Sequence, residues 1–281
     1  HYVGEGMLWN RNWTHQDFLT HRLGTGNRTC PFSICMKEKQ NHPYDRSGQL
    51  VKEMQKSYGQ MQNVPITIDF MEHTLIGVIG GEGKSGALEI ARIIGAQIAA
   101  NNCYTDVKMG FFYNGEVERE KKAFAFAKWL PHTWSEDKKV RFLASDQKEA
   151  NEIFYDWMEV FRSRGMEEKE KRPHYVLICT ECAMIEQALI AKYVFDPSKR
   201  YGLTTILLAE SYEELPNDCT FMIQNDADHK GIYEVGGSGE ERIPIVFDEI
   251  KEEELQEFAR DLAGIEVQEI EEGQKLPERL T

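Results

Sequence analysis

An apolar run from Thr74 to Ile79 leads directly into Gly80-Gly81-Glu82-Gly83-Lys84-Ser85. From Ser85 to Asn101 the apolar residues return at helical spacing through Leu88, Ile90, Ala91, Ile94 and Ile98. A buried strand, a glycine turn and a helix in that order need a sheet with helices against it. The turn also fits G-x-x-x-x-G-K-S/T. In that pattern glycines let backbone N–H groups face phosphate, the lysine reaches the β and γ oxygens, and the hydroxyl holds Mg²⁺. Gly81, Gly83, Lys84 and Ser85 fit the pattern, and Val78 stands where the first glycine belongs. A β-branched residue suits a loop of positive φ poorly, although Gly80 and Gly81 restore some freedom. The plainer alternative is a glycine-rich turn that caps a helix and leaves Lys84 solvated.

Such a site is completed by an acidic residue at the end of a neighbouring strand, often followed by a glutamate that activates water. The strand Tyr175-Val176-Leu177-Ile178-Cys179 ends in Thr180-Glu181, so the glutamate is present and the metal-binding aspartate is not. A threonine hydroxyl does not supply the charge that binds a hard divalent cation. The expectation is a nucleotide-binding fold without its hydrolytic equipment. Gly81, Gly83, Lys84 and Ser85 would be a vestigial phosphate loop, and Glu181 a residual water-activating glutamate.

The remaining chain alternates. Strands are expected at 63–70, 107–113, 140–144, 203–209, 219–223, 231–235 and 243–247. Helices are expected at 117–130, 146–164, 184–194 and 252–263. Uninterrupted apolar strands between helices indicate a three-layer α/β domain with a mainly parallel central sheet of degenerate RecA or P-loop type. Residues 1–60 lack that alternation, with loops at Gly24-Thr25-Gly26 and 41–45, and read as a strap or small subdomain beside the sheet. Residues 61–265 form the main domain. Residues 266–281, acidic with Gly273 and Pro277, read as a linker.

A chain of 281 residues, 41% of them hydrophobic, can bury a large core. Its net charge of −14 repels phosphate backbones and argues against a nucleic-acid partner. With no membrane-length apolar run and no signal peptide, the expectation is a soluble piece of something longer, since it begins at His1. Six cysteines without a regular framework suggest reduced thiols in a cytoplasmic setting. Cys179 and Cys182 match C-x-x-C, and with Cys30 and Cys35 could form a zinc or redox site, but Cys179 lies inside an expected buried strand. Asp226, Asp228 and His229 read as a polar turn rather than a metal site.

The chain also carries ordered short motifs: Leu8-Trp9-Asn10-Arg11, Asp17-Phe18-Leu19, Arg22-Leu23-Gly24-Thr25-Gly26, Val64-Pro65-Ile66, Ile76-Gly77-Val78-Ile79-Gly80, Trp129-Leu130-Pro131-His132-Thr133-Trp134, Arg141-Phe142-Leu143, Leu207-Leu208-Ala209-Glu210 with Leu215-Pro216, and Leu276-Pro277-Glu278-Arg279. Together they resemble the membrane-anchored FtsK/SpoIIIE-type ATPase of type VII secretion, the EssC/EccC family. The resemblance covers essentially the whole chain. It implies the ATPase-like domain with a degenerate nucleotide site, between the transmembrane helices and the first motor domain. The implied role is noncatalytic: a structural and coupling module at the cytoplasmic face of the bacterial membrane. It would require no cofactor, bind ATP and Mg²⁺ weakly at most, and contact the adjacent motor domains, neighbouring copies and other secretion-machine components. Membrane contact would run only through transmembrane helices outside this chain. Gly83-Lys84-Ser85 is closer to a working loop than such a domain needs, which keeps nucleotide sensing open. The alternative is an active ATPase coupling hydrolysis to protein translocation, with Lys84 on phosphate, Glu181 activating water and Ser85 alone on Mg²⁺. Trp9, Trp13, Trp129 and Trp134 are candidate interface or strap-packing residues. Arg92 and Arg141 sit on an ordinary helix and strand end, and no arginine finger is assigned.

Overall fold

The computed structural model describes residues 8–30, 53–54, 59–164, 172–196, 201–235 and 242–267. Its strands are β1 (Thr20–Thr29), β2 (Gln60–Asp69), β3 (Leu75–Ile79), β4 (Val107–Phe112), β5 (Leu143–Ala144), β6 (His174–Cys179), β7 (Leu203–Ala209), β8 (Phe221–Asn225), β9 (Lys230–Glu234) and β10 (Ile243–Phe247). The helices are α1 (Ser85–Asn101), α2 (Glu118–Ala123), α3 (Gln147–Arg164), α4 (Cys182–Glu186), α5 (Ala191–Val194) and α6 (Glu252–Leu262).

The strands form one ten-stranded sheet in the order β2-β1-β10-β9-β8-β3-β7-β6-β4-β5. From β8 to β5 every pairing is parallel, and from β8 back to β2 every pairing is antiparallel. This is the expected α/β architecture. Strands β3, β4, β6 and β7 are buried at every residue because successive side chains enter opposite faces and both faces are covered. Ile76, Val78 and Ile206 pack on the side of α1 and α6, whereas Leu75, Ile79 and Leu207 pack on the side of α3. The second face is aromatic: Trp157 of α3 meets Phe112, Phe142 and Tyr175 edge-on at 4.9–5.8 Å.

Several expectations are corrected. No strand was expected before residue 60, yet Thr20–Thr29 pairs with both β2 and β10 inside the sheet. Its neighbouring segment bonds to the end of α1. Trp9 N and Arg11 N donate to the carbonyls of Ala100 and Asn101, and Trp9 Nε1 to that of Ala99, satisfying the open end of α1. The helix expected over 117–130 stops at Ala123, because Phe124 and Phe126 are both buried against Phe111, a spacing of two that one helical face does not allow. The helix expected over 184–194 is broken into α4 and α5, with Leu189 exposed between them. In 140–144 only Leu143 and Ala144 join the sheet, on Phe111 and Phe112. Residues 31–52, residues 236–241 and all but the start of 266–281 lie outside the described residues. Among the described residues no helix is long and apolar enough to cross a membrane.

Candidate functional site

The glycine turn closes the carboxyl end of β3, next to β7 on one side and β8 on the other. Val78 is not a loop residue: it is fully buried within β3, so a valine there carries no conformational penalty. The turn proper is Gly80 to Lys84. Gly81, Gly83 and Lys84 have φ of 69°, 61° and 56°. For the two glycines this is free, and for Lys84 a left-handed backbone costs about 1–2 kcal/mol that its surroundings must offset.

Those surroundings absorb the turn's donors. Gly80 N donates to Ala209 O at 2.9 Å, Gly81 N to Glu210 O at 3.2 Å and Lys84 N to Gly81 O at 2.9 Å. Gly83 N donates to the Glu210 carboxylate, Oε1, at 3.0 Å. These amides face protein acceptors rather than a common open centre. Arg119 of α2 lies over the turn, its Nη1 donating to the carbonyls of Glu82 and Gly83 at 3.2 and 3.3 Å. A Cβ on Gly83 would fall 2.0 Å from that nitrogen, so the bare glycine lets the guanidinium rest there.

Lys84 turns inward. Its Nζ donates to Thr180 O at 2.7 Å and lies 3.4 Å from Glu120 Oε1, with side chains 15% and 3% exposed. The solvated lysine of the plainer reading is therefore not found. Glu120 Oε2 accepts from Thr180 Oγ1 at 2.6 Å and from Asn114 N at 2.8 Å. Thr180, at the strand end where an aspartate is missing, thus meets a carboxylate supplied by another element. Glu181 is half-buried, and its Oε1 accepts from Asn114 Nδ2 at 2.9 Å. Ser85 is exposed at the start of α1. Together with Gly81 it borders an open cavity of about 720 Å³, whose wall carries Glu82, Glu89, Asp226 and Asp228 against Arg119 and Lys230. The volume suits a nucleotide, while the acidic wall opposes a polyphosphate.

The predicted site residues are therefore divided. Gly81 and Ser85 face the cavity, Lys84 is drawn beneath α2, and Glu181 is engaged by Asn114. Four participants escaped the sequence reading: Asn114, Arg119, Glu120 and Glu210. Glu120 had a signal, since it precedes the buried Ala123 and Phe124 by three and four residues and so lies on the apolar stripe of its helix.

The cysteine alternative is not supported by the surroundings of its members. Burial raises the Cys179 thiol to about 12, and burial together with the Glu186 carboxylate raises Cys182 to about 12. Both thiols are held in their unreactive form. Cys35 lies outside the described residues. Asp226 accepts backbone N–H groups from Asp228 and His229 at 2.9 and 2.6 Å, the turn expected there. Of the tryptophans, Trp9 and Trp13 pack on the α1 side of the core, Trp134 lies under Arg141 at 4.0 Å, and Trp129 is 37% exposed between Lys128 and Arg260.

No protein-family profile matches the chain. Among curated proteins it is 28% identical over 263 residues to the ESX secretion system protein YukB of Bacillus subtilis, covering 91% of this chain and 17% of that one. It is 26% identical over 280 residues to the ESX secretion system protein EccC of Geobacillus thermodenitrificans, covering 98% and 18%. It is 24% identical over 219 residues to the type VII secretion system protein EssC of Staphylococcus aureus, covering 74% and 14%. The relatives are the EssC/EccC-type proteins that the short motifs resemble, and the chain spans less than a fifth of their length. Among solved structures, ATPases 2 and 3 of EssC from Geobacillus thermodenitrificans superpose with a TM-score of 0.56 at 13% identity, covering 92% of this chain and 50% of that one. ATPases 2 and 3 of Thermomonospora curvata EccC, in complex with a signal sequence peptide, give 0.52 at 12% identity over 92% and 48%. The fold is that of these ATPase domains.

Proposed function

We infer that this chain is a noncatalytic coupling domain of a membrane-anchored type VII secretion ATPase. It connects the membrane anchor of the longer protein to its motor domains on the cytoplasmic face of the bacterial cell membrane. One observation carries this reading: the turn that should receive phosphate is occupied by the protein itself. Lys84 is engaged by Glu120 and the Thr180 carbonyl, and Gly83 N by Glu210. Thr180 also supplies no charge for Mg²⁺. Chemistry of the phosphoryl-transfer kind depends on positioned cations and donors, and here those groups serve the fold. A linker over 266–281 would lead on to the motor domains, and the main domain reaches back before residue 60 to include β1, which pairs inside the sheet. Its partners are then the adjacent motor domains, neighbouring copies and other secretion components, with Trp129 an exposed contact residue. Nucleic acid is disfavoured by the net charge of −14. ATP is at most a weak, sensed ligand.

Calorimetric titration with ATP and MgCl₂, run beside a phosphate-release assay, tests the reading. No turnover is expected, and no binding tighter than about 10 μM, roughly 7 kcal/mol. Turnover that disappears in both Lys84→Ala and Glu181→Gln would overturn it in favour of an active motor domain.

A further inference from the structure

Glu120 is a carboxylate with 3% of its side chain exposed, placed on a short helix whose neighbours Glu118, Lys121 and Lys122 are all at the surface. A charge so buried needs a counter-charge and several donors. It has both. Lys84 Nζ approaches one oxygen at 3.4 Å, while Thr180 Oγ1 and Asn114 N reach the other at 2.6 and 2.8 Å. The three donors come from the glycine turn, the end of β6 and the end of β4, the elements that a phosphate group at this position would have to join. Glu210 repeats the arrangement at the next group along, with its carboxylate on Gly83 N at 3.0 Å. Arg119, beside Glu120 on α2, holds the turn from outside through the carbonyls of Glu82 and Gly83.

We propose that Glu120 is an internal ligand of the phosphate loop, a resident carboxylate that takes the place of a phosphate on Lys84 and keeps the turn folded without nucleotide. The masked site is an anion site for phosphoanhydrides, closed by α2. The left-handed backbone at Lys84 fits this arrangement, because the ammonium then points to Glu120 and Thr180 rather than into the open cavity beside Ser85. The proposal deepens the noncatalytic reading by naming what fills the site, and it can fail separately from that reading.

Two measurements on this chain test it. The first is urea unfolding of Lys84→Met, Glu120→Gln and the double variant without ligand. An internal ion pair predicts that each single change lowers the midpoint and that the double variant is no less stable than the weaker single one. Additive losses would overturn the proposal. The second is calorimetric titration with inorganic pyrophosphate at fixed ionic strength. Neutralising Glu120 should tighten pyrophosphate at least tenfold relative to the unaltered chain, and Lys84→Met/Glu120→Gln should lose the gain. Equal affinity in the unaltered chain and Glu120→Gln would overturn it. Should Glu120→Gln not fold, the stability of the double variant decides the matter: a folded double variant supports the pairing, and an unfolded one refutes it. Unaltered protein that binds pyrophosphate tightly yet hydrolyses no ATP would sink the internal ligand and leave the noncatalytic reading standing.

Discussion

At the carboxyl ends of β3, β4 and β6 the buried polar groups are charged and paired, Lys84 with Glu120. At the amino ends of the same part of the sheet three neutral imidazoles are buried, beside the cations Lys108 and Arg164. His174, the first residue of β6, hydrogen-bonds Thr204 Oγ1 at 2.9 Å, and that hydroxyl donates on to Phe70 O. His21 packs against the Phe70 ring at 4.9 Å. His132 lies 2.8 Å from Asn102 O, just past α1. Burial lowers His21 and His174 to about 3, aided by Arg11 and by Arg164 respectively, and burial lowers His132 to about 4. The ion pair and the imidazoles are opposite solutions to the same problem. A paired buried charge fails when one partner is removed, and a buried neutral imidazole fails when it is protonated.

The largest expected effect follows from the imidazoles. Below the ordinary histidine value of about 6.5 the unfolded chain takes up protons that the folded chain refuses, so stability falls as pH drops. The loss runs from about pH 6.5 down toward the folded values near 4 and 3, and is absent above neutrality. Each histidine removes up to ~1.4 kcal/mol per pH unit, so the three together remove up to ~4 kcal/mol per unit. Both nitrogens of His21 and the Nδ1 atoms of His132 and His174 lack a hydrogen-bond partner among the described residues, so no acceptor awaits the new charge. Urea midpoints measured from pH 7.5 to 5 check this, and a flat profile would erase the contrast between the ends.

Next comes the paired end. Lys84→Met leaves Glu120 buried without its counter-charge and is expected to cost about 3–5 kcal/mol in the absence of nucleotide. A lysine waiting in solvent for phosphate would cost almost nothing. The same unfolding experiment at pH 7.5 separates the two. Thr180→Val should follow at about 1–3 kcal/mol, since the isosteric change removes the 2.6 Å donor to Glu120 and leaves the Lys84 pair in place.

This contrast also marks what could be read from the chain alone. Strands β3, β6 and β7 and helix α1 were legible because burial on both faces leaves an unbroken apolar run, and a helix against them leaves its own period. Strand β1 was not. Its sequence Thr20–Thr29 is mostly polar with two glycines, and only His21, Leu23 and Gly24 are buried. It is a strand because β2 and β10 flank it and Gln97 of α1 bonds both N–H and C=O of Arg22, contacts that no local pattern encodes. The same holds at the site. Lys84 was found from its motif, but its partner Glu120 is 36 residues away in a run of charges that reads as a solvated helix. Motif spacing locates the groups that ligand chemistry requires, and does not reveal that another element already satisfies them.

The smallest effect is the sharpest test of where the loop's two sides divide. Ser85 would hold Mg²⁺ in a working loop, yet it is exposed and borders the acidic cavity rather than the Lys84 pair. Ser85→Ala should therefore change stability by no more than about 0.5 kcal/mol, roughly a tenth of the expected Lys84→Met loss. If the serine proves as costly as the lysine, the outer side of the turn is also held by the fold, and the division between a filled inner side and an idle outer one is lost. If it is neutral for stability but alters ATP binding in Glu120→Gln, the hydroxyl still belongs to the anion site that α2 closes.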